Sequence, residues 1–231
     1  MGLFDKKYCE FCGEKLGLFG KTTLKDGFMC KNCTSQLSQW WSVGKSTTVA
    51  DVYEHRMYRD ENKKKVAEFR VTRSLGDLYK VLIDDDARRI MITTSSDFQK
   101  ANPDVFDFDD ITSARYDIQE SKNELHDKDK DGKTISFEPK RYDFHYDFYI
   151  TLYVRNPYFD TIRFKVNRNY VSIKPWEEYE AKEAEYKALQ MKHMGAKPLT
   201  GDRYTPNIEE NEDYQAYKNA AEEIVAFFNN K

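Results

Sequence analysis

Residues 142–154 read YDFHYDFYITLYV, and the reading of the fold turns on them. Tyr142, Phe144, Tyr146, Phe148, Ile150, Leu152 and Val154 are apolar or aromatic at every second position, with Asp143, His145, Asp147 and Thr151 between. A period of two over that length predicts a strand with one face in a core. Asn156-Pro157-Tyr158 breaks the run, and Ile162, Phe164 and Val166 resume it on the same parity. The two runs predict a long, curved, half-buried hairpin, which belongs in an antiparallel barrel or sandwich.

Outward from this hairpin the pattern holds. Tyr79, Val81 and Ile83 alternate, Asp84-Asp85-Asp86 turns the chain, and Ile90-Met91-Ile92 resumes. Residues 105–111 give a further short strand and turn, and residues 115–125 are expected to pair with 134–137 across a polar loop. On the C-terminal side, Pro175 suits the first turn of a helix over 176–194 that ends at Gly195. Asn207, with Glu210 three residues on, reads as the cap of a last helix carrying Tyr214, Tyr217, Ala221, Ile224, Val225 and Phe228 at helical spacing. About seven strands under one amphipathic helix predict an α+β chain. Its residues 69–231 would form an antiparallel, pleckstrin-homology-like β-barrel, with a helical insertion at 175–195 and a capping helix at 207–229.

The first 45 residues follow different rules. Cys9, Cys12, Cys30 and Cys33 are the chain's four cysteines, set as C-x2-C, a 17-residue spacer and C-x2-C. Two thiolates on each tight knuckle supply half of a tetrahedral S4 site, so the spacing predicts zinc. Redox-active and disulfide readings are weaker, because the pairs open a long chain with no secretory signal before them. Gly13 follows the first pair where a knuckle needs a positive φ, and Asp26-Gly27 suits a hairpin turn. The second pair leads into residues 34–41, read as a helix with Leu37, Trp40 and Trp41 on one side. Knuckle, hairpin and helix is the order of a treble clef; a zinc ribbon is the alternative. With four protein thiolates no position is left for substrate, so Zn2+ here is expected to be structural, and the small unit to depend on it.

Residues 46–68 read as a helical connector. Thr48-Val49-Ala50-Asp51 forms a capping-box pattern, and Val49, Val52, Tyr53 and Met57 form the expected apolar stripe. Lys63, Lys64 and Lys65 are read as a solvated helix face.

The opening MGLFDKKYCEFCGEKLGLFG and the following LKDGFMCKNC resemble a bacterial family defined by a domain of unknown function. Its members begin with this four-cysteine element and often continue into a β-rich region. The likeness covers about the first 45 residues, is carried by Cys9, Cys12, Cys30 and Cys33, and implies no activity. Residues 106–116, FDFDDITSARY, resemble a strand–turn–strand of bacterial pleckstrin-homology-like domains.

Other motifs are less informative. Asp127, Asp129, Asp131, Gly132 and Glu138 fit the spacing of a calcium loop, but both flanks read as strands where an EF-hand needs helices. An acidic hairpin loop is the preferred reading. Gly44-Lys45-Ser46-Thr47 imitates the end of a phosphate loop, yet Gln39 stands where its first glycine belongs. His55, His126, His145 and His193 are scattered without ligand spacing. His145, with Asp143, Asp147 and Arg155, could line a polar groove or simply pair charges across strands.

A net charge of −3 argues against general polyanion binding. No apolar run is long enough for a bilayer, and Lys6 defeats the myristoylation pattern begun by Gly2, so a cytoplasmic protein is expected. The reading that follows is a non-enzymatic, zinc-containing adaptor for a protein or peptide partner, with Trp40, Trp41 and the tyrosine-rich strands as anchors. One alternative is an anionic membrane surface met by Arg163, Lys165 and Arg168. The other is nucleic acid met by Lys6, Lys7, Lys15, Lys21, Lys25 and Lys31. No catalytic residues and no small-molecule substrate are suggested.

Overall fold

The structure is a computed structural model and describes residues 7–17, 19–192 and 203–230. A bridge between Tyr8 and Lys15 closes the first knuckle. Strands β1 (Lys21–Thr23) and β2 (Phe28–Cys30) then pair antiparallel around Asp26-Gly27, with the Leu24 amide donating to the Gly27 carbonyl at 2.9 Å. Helix α1 (Lys31–Thr34) is a single turn.

The helix expected over residues 34–41 does not form. Its serines and threonines satisfy backbone groups locally, which competes with the helix. Ser38 Oγ accepts from the Trp40 amide and donates to Asp104 Oδ2, so a tertiary bond holds the chain out of helical register.

Helix α2 (Val49–Glu68) starts on the expected capping box. Thr48 Oγ1 accepts from the Asp51 amide, and Asp51 Oδ2 accepts from the Thr48 amide. Its buried face departs from expectation. Val52, His55, Arg59, Asn62 and Val66 turn inward, whereas Tyr53 and Met57 stand 50% and 70% exposed. The inward face is polar in the middle because it meets a polar loop rather than a core. The lysine run is solvated as expected, with Lys63 on Asp60 and Lys64 on Glu61 at the surface.

Strands β3 (Arg73–Leu75), β4 (Lys80–Asp84) and β5 (Arg89–Thr93) follow, then the short helix α3 (Phe98–Ala101) and strand β6 (Val105–Asp107). The four strands form one antiparallel meander. It is covered on both faces: Leu82, Met91 and Val105 pack with Val66 and Phe69, while Val81, Ile83, Ile90, Ile92 and Phe106 face the main core.

A 3-10 turn, Phe108–Asp110, redirects the chain into β7 (Ile111–Lys128), β8 (Thr134–Val154), β9 (Thr161–Lys165) and β10 (Val171–Ile173). The decisive stretch is the middle of this second sheet. β7 lies along one edge of β8, and β10 and β9 succeed each other along the other. Buried Asn167 bridges the gap between them, accepting from the Phe148 amide at 2.9 Å and donating to the Tyr146 carbonyl at 3.2 Å. Arg115 pairs with Thr151, not with residues 134–137. Only His126, Asp127 and Lys128 meet Ser136, Ile135 and Thr134, because β8 is continuous and its partner shifts register between Leu125 and His126.

The expected barrel does not close. Among the described residues no ladder joins β3 or β6 to the second sheet, so two antiparallel sheets face each other. The turn after β6 starts a new sheet instead of prolonging the old one, and the last helix fills the opening. That helix, α5 (Glu212–Asn229), follows α4 (Pro175–Met191) and packs across β7 and β8 with Tyr214, Ala221, Ile224 and Phe228 inward. It begins later than expected: Asn211 is its cap, and the Asn207–Glu210 bond closes only an isolated turn. The expected end of α4 at Gly195 lies outside the described residues.

Candidate metal centre and the joint behind it

Cys9 and Cys12 come from the first knuckle, Cys30 ends β2, and Cys33 sits in α1. Their sulfurs all lie within 4.8 Å of one another, none is in a disulfide, and Cys12 and Cys30 are 3.7 Å apart sulfur to sulfur. Zinc–thiolate bonds of about 2.3 Å at tetrahedral angles require sulfurs roughly 3.8 Å apart. The sequence-predicted ligands are thus brought together with spacing that fits such an ion.

Backbone donors support the charge. The Cys30 amide points at Cys9 Sγ at 3.4 Å and the Cys33 amide at Cys30 Sγ at 3.3 Å. Burial opposes ionisation of Cys9, yet bonds from the Cys30, Phe11 and Cys12 amides and from the Cys12 thiol draw its pKa down to about 6. Cys33 is driven far up by burial first and then by its neighbouring sulfurs. Such opposed directions are what four crowded sulfurs impose on one another. A divalent ion would remove that conflict.

Residues 7–55 match the family model of a domain of unknown function, DUF4428. No curated protein and no solved structure shows significant similarity to the chain. The DUF4428 segment holds all four cysteines and runs on into α2 as far as His55. The cysteine element and the start of the helix behind it are therefore one sequence unit.

Behind that segment lies a joint that sequence reading missed. Asp104, 2% exposed, receives Arg59 Nη1 at 2.7 Å, Tyr58 Oη at 3.1 Å and Ser38 Oγ at 2.8 Å. Arg59 also donates to the Asn102 carbonyl, and Asn62 bonds Asn102, the Pro103 carbonyl and the Val105 amide. Asn156 donates to Tyr58 Oη at 3.1 Å. The cysteine unit, α2 and the loop before β6 thus meet at one carboxylate, and the turn after β8 joins them through Tyr58. The only hint in the sequence was Arg59 and Asn62 at helical spacing from Val52 and Val66.

His55 lies beside this joint, fully buried, stacked on Trp41 at 4.3 Å and met edge-on by Tyr158 at 4.5 Å. Neither ring nitrogen has a hydrogen-bond partner. Burial, then the charge of Arg59, lowers its pKa to about 4, so the ring is neutral at physiological pH.

The remaining candidates resolve individually. Among the described residues the cysteines are the one group of three or more His, Cys, Asp or Glu side chains gathered closely enough for an ion. Asp127, Asp131 and Glu138 are not gathered with Asp129. Asp129 Oδ1 instead accepts from the Asp131 and Lys133 amides in the hairpin turn. Gly44 and Thr47 form a turn ahead of α2. His145 bonds Asp143 at 2.8 Å and Asn123 at 3.2 Å and stacks on Tyr170, while Ser172 donates to Asp143. His126 lies near Glu124, and His193 lies outside the described residues.

Arg163 is paired with Asp117 at 2.7 Å and Lys165 with Asp147 at 2.6 Å, which neutralises most of the basic surface suggested for membranes. Lys7 and Lys21 both rest over the Phe28 ring, while Lys15 and Lys31 flank a shallow groove; Lys6 lies outside the described residues. Trp40 packs on Tyr79 and Trp41 on His55, so both predicted anchors serve internal packing. No described helix is long and apolar enough to cross a membrane.

Proposed function

We propose that the protein is a non-enzymatic binding protein in which Cys9, Cys12, Cys30 and Cys33 hold one structural Zn2+. The cysteine unit is read as treble-clef-like, since its last two ligands fall at the start of α1 after a knuckle and a hairpin. The β-rich body is read as an open pleckstrin-homology-like sandwich: a four-stranded meander, a second four-stranded sheet built around β8, and a covering helix. Bound zinc supplies a cross-link there, because four thiolates complete its tetrahedron.

One observation carries the binding role. Tyr53 and Met57 stand half and more exposed on α2, beside the ring of Phe11 at 5.1 Å from Tyr53, with Arg56 over Phe11 at 5.8 Å. Apolar side chains left outward on a helix anchored from behind suit a protein or peptide partner. The compartment proposed is the cytoplasm. The test is cross-linking and capture with the metal-retaining full chain beside Tyr53→Ser/Met57→Ser. A partner recovered with the native chain and lost with the variant is expected; equal recovery with both would end this reading.

A further inference from the structure

We propose that the cleft between the cysteine unit, α2 and the end of α3 receives a phosphate dianion carried on a phosphorylated side chain of the protein partner, an inference that rests on the binding role above. The cleft has a volume of about 250 Å3, and Ser35, Arg56, Arg59, Asp60, Lys63 and Lys100 are among its walls. A second cavity of about 220 Å3 adjoins it, sharing Ser35, Arg59 and Asn102.

The charges there do not cancel. Arg59 is held by Asp104 at 2.7 Å and Lys63 by Asp60 at 2.9 Å. Arg56 and Lys100 have no carboxylate within ion-pair distance among the described residues, although Arg56 lies near enough to help depress the Asp60 carboxyl after Lys63. Two cations are in excess, which matches the near-double charge of a phosphate monoester at neutral pH.

A second observation points the same way. The Arg59 side chain is more than nine-tenths buried, and its Nε has no acceptor while both terminal nitrogens do. A buried donor left unsatisfied is destabilising. A small turn of the guanidinium would bring this Nε–H, now closed to solvent, to an oxyanion in the cleft and relieve it. Guanidinium groups are also suited to phosphate geometry, since they offer paired N–H donors in one plane. Arg56 connects the two features: its guanidinium lies over Phe11 in the exposed aromatic patch and also lines the cleft. A partner segment could therefore place an apolar residue on Tyr53 and Met57 and a phosphate beside Arg56.

Titration of the zinc-loaded full chain, followed by arginine and backbone N–H NMR signals, tests this with two probes. These are inorganic phosphate and a phosphoserine peptide, with the unphosphorylated peptide and chloride at equal ionic strength as controls. Saturable shifts of the Arg59 Nε–H signal are expected with both phosphate probes and with neither control. Arg56→Ala and Lys100→Ala, both surface changes, should each weaken binding about tenfold while thermal midpoint and metal content hold. Loss of metal or midpoint would set that variant aside for Arg56→Gln and Lys100→Gln, which must then show the same weakening. Absence of saturation, equal response to chloride, or full affinity in these variants would overturn the site. Binding of inorganic phosphate without the phosphopeptide would overturn its assignment to a protein partner. Failure to capture a partner would remove the adaptor reading while leaving the phosphate result intact.

Discussion

The cysteine unit and the β-rich body are held together by different physics. In the body, an apolar cluster from Val81 to Phe228 fills the space between two sheets and α5, with Phe148, Ile150, Leu152 and Ile162 fully buried. In the cysteine unit, Leu24, Met29, Leu37 and Val52 are the buried apolar residues that join the cysteines. A short chain removes little surface from water against its own conformational entropy, which is why the proposed metal cross-link would matter there. Between the two lies a third regime, the buried polar joint at Asp104. It is directional where the β core is not, and it fixes how one unit meets the other.

Chelation, or Cys30→Ser, is the strongest way to break this contrast. Structural zinc sites contribute about 10–16 kcal/mol to small domains. Hydrogen exchange should show β1, β2 and α1 losing protection while β8 keeps it. Simultaneous loss in β8 would mean that the two regions form one cooperative unit.

Asp104→Ala would leave Arg59 charged and buried without its partner, at a cost of about 3–5 kcal/mol. Chemical denaturation should then separate into two transitions, one for each unit. Ile150→Ala acts on the body alone. A loss of about 2–5 kcal/mol is expected from the vacated volume, with metal content unchanged by mass spectrometry.

Acid probes the joint through His55. The unfolded ring titrates at 6.5 and the folded one at about 4, so between these values the unfolded chain binds more protons. Stability from this group is complete above pH 6.5 and lost as pH falls through 4, by about 3 kcal/mol in all. His55→Phe should flatten that part of the stability curve; an unchanged slope would place its origin elsewhere. The smallest effect is expected at Lys64, whose ion pair with Glu61 is solvent-exposed on both sides. Lys64→Ala should leave the denaturation midpoint unmoved.

Legibility in the sequence followed the same division. Alternation over residues 142–154 is a local property, and it marked the central strand because one face of that strand is buried throughout. Cysteine spacing named four side chains that do converge. The cap at Thr48 was equally readable, since its bonds span three residues. The Asn207 signal misled because a capping pattern specifies a turn, and tertiary packing chose Asn211 for the helix.

What the sequence by itself determined, then, is the set of elements whose causes are local: the period of the strands, the thiol spacing, and the caps. Tertiary structure alone decided that the sheets stay open, that α2 turns His55, Arg59 and Asn62 inward and leaves Tyr53 and Met57 outside, and that Asp104 gathers Ser38, Tyr58 and Arg59. The physical reason is distance along the chain. A hydrogen bond between residues 38 and 104 leaves no periodic trace near either, and a polar residue can face inward only because its partner arrives from elsewhere.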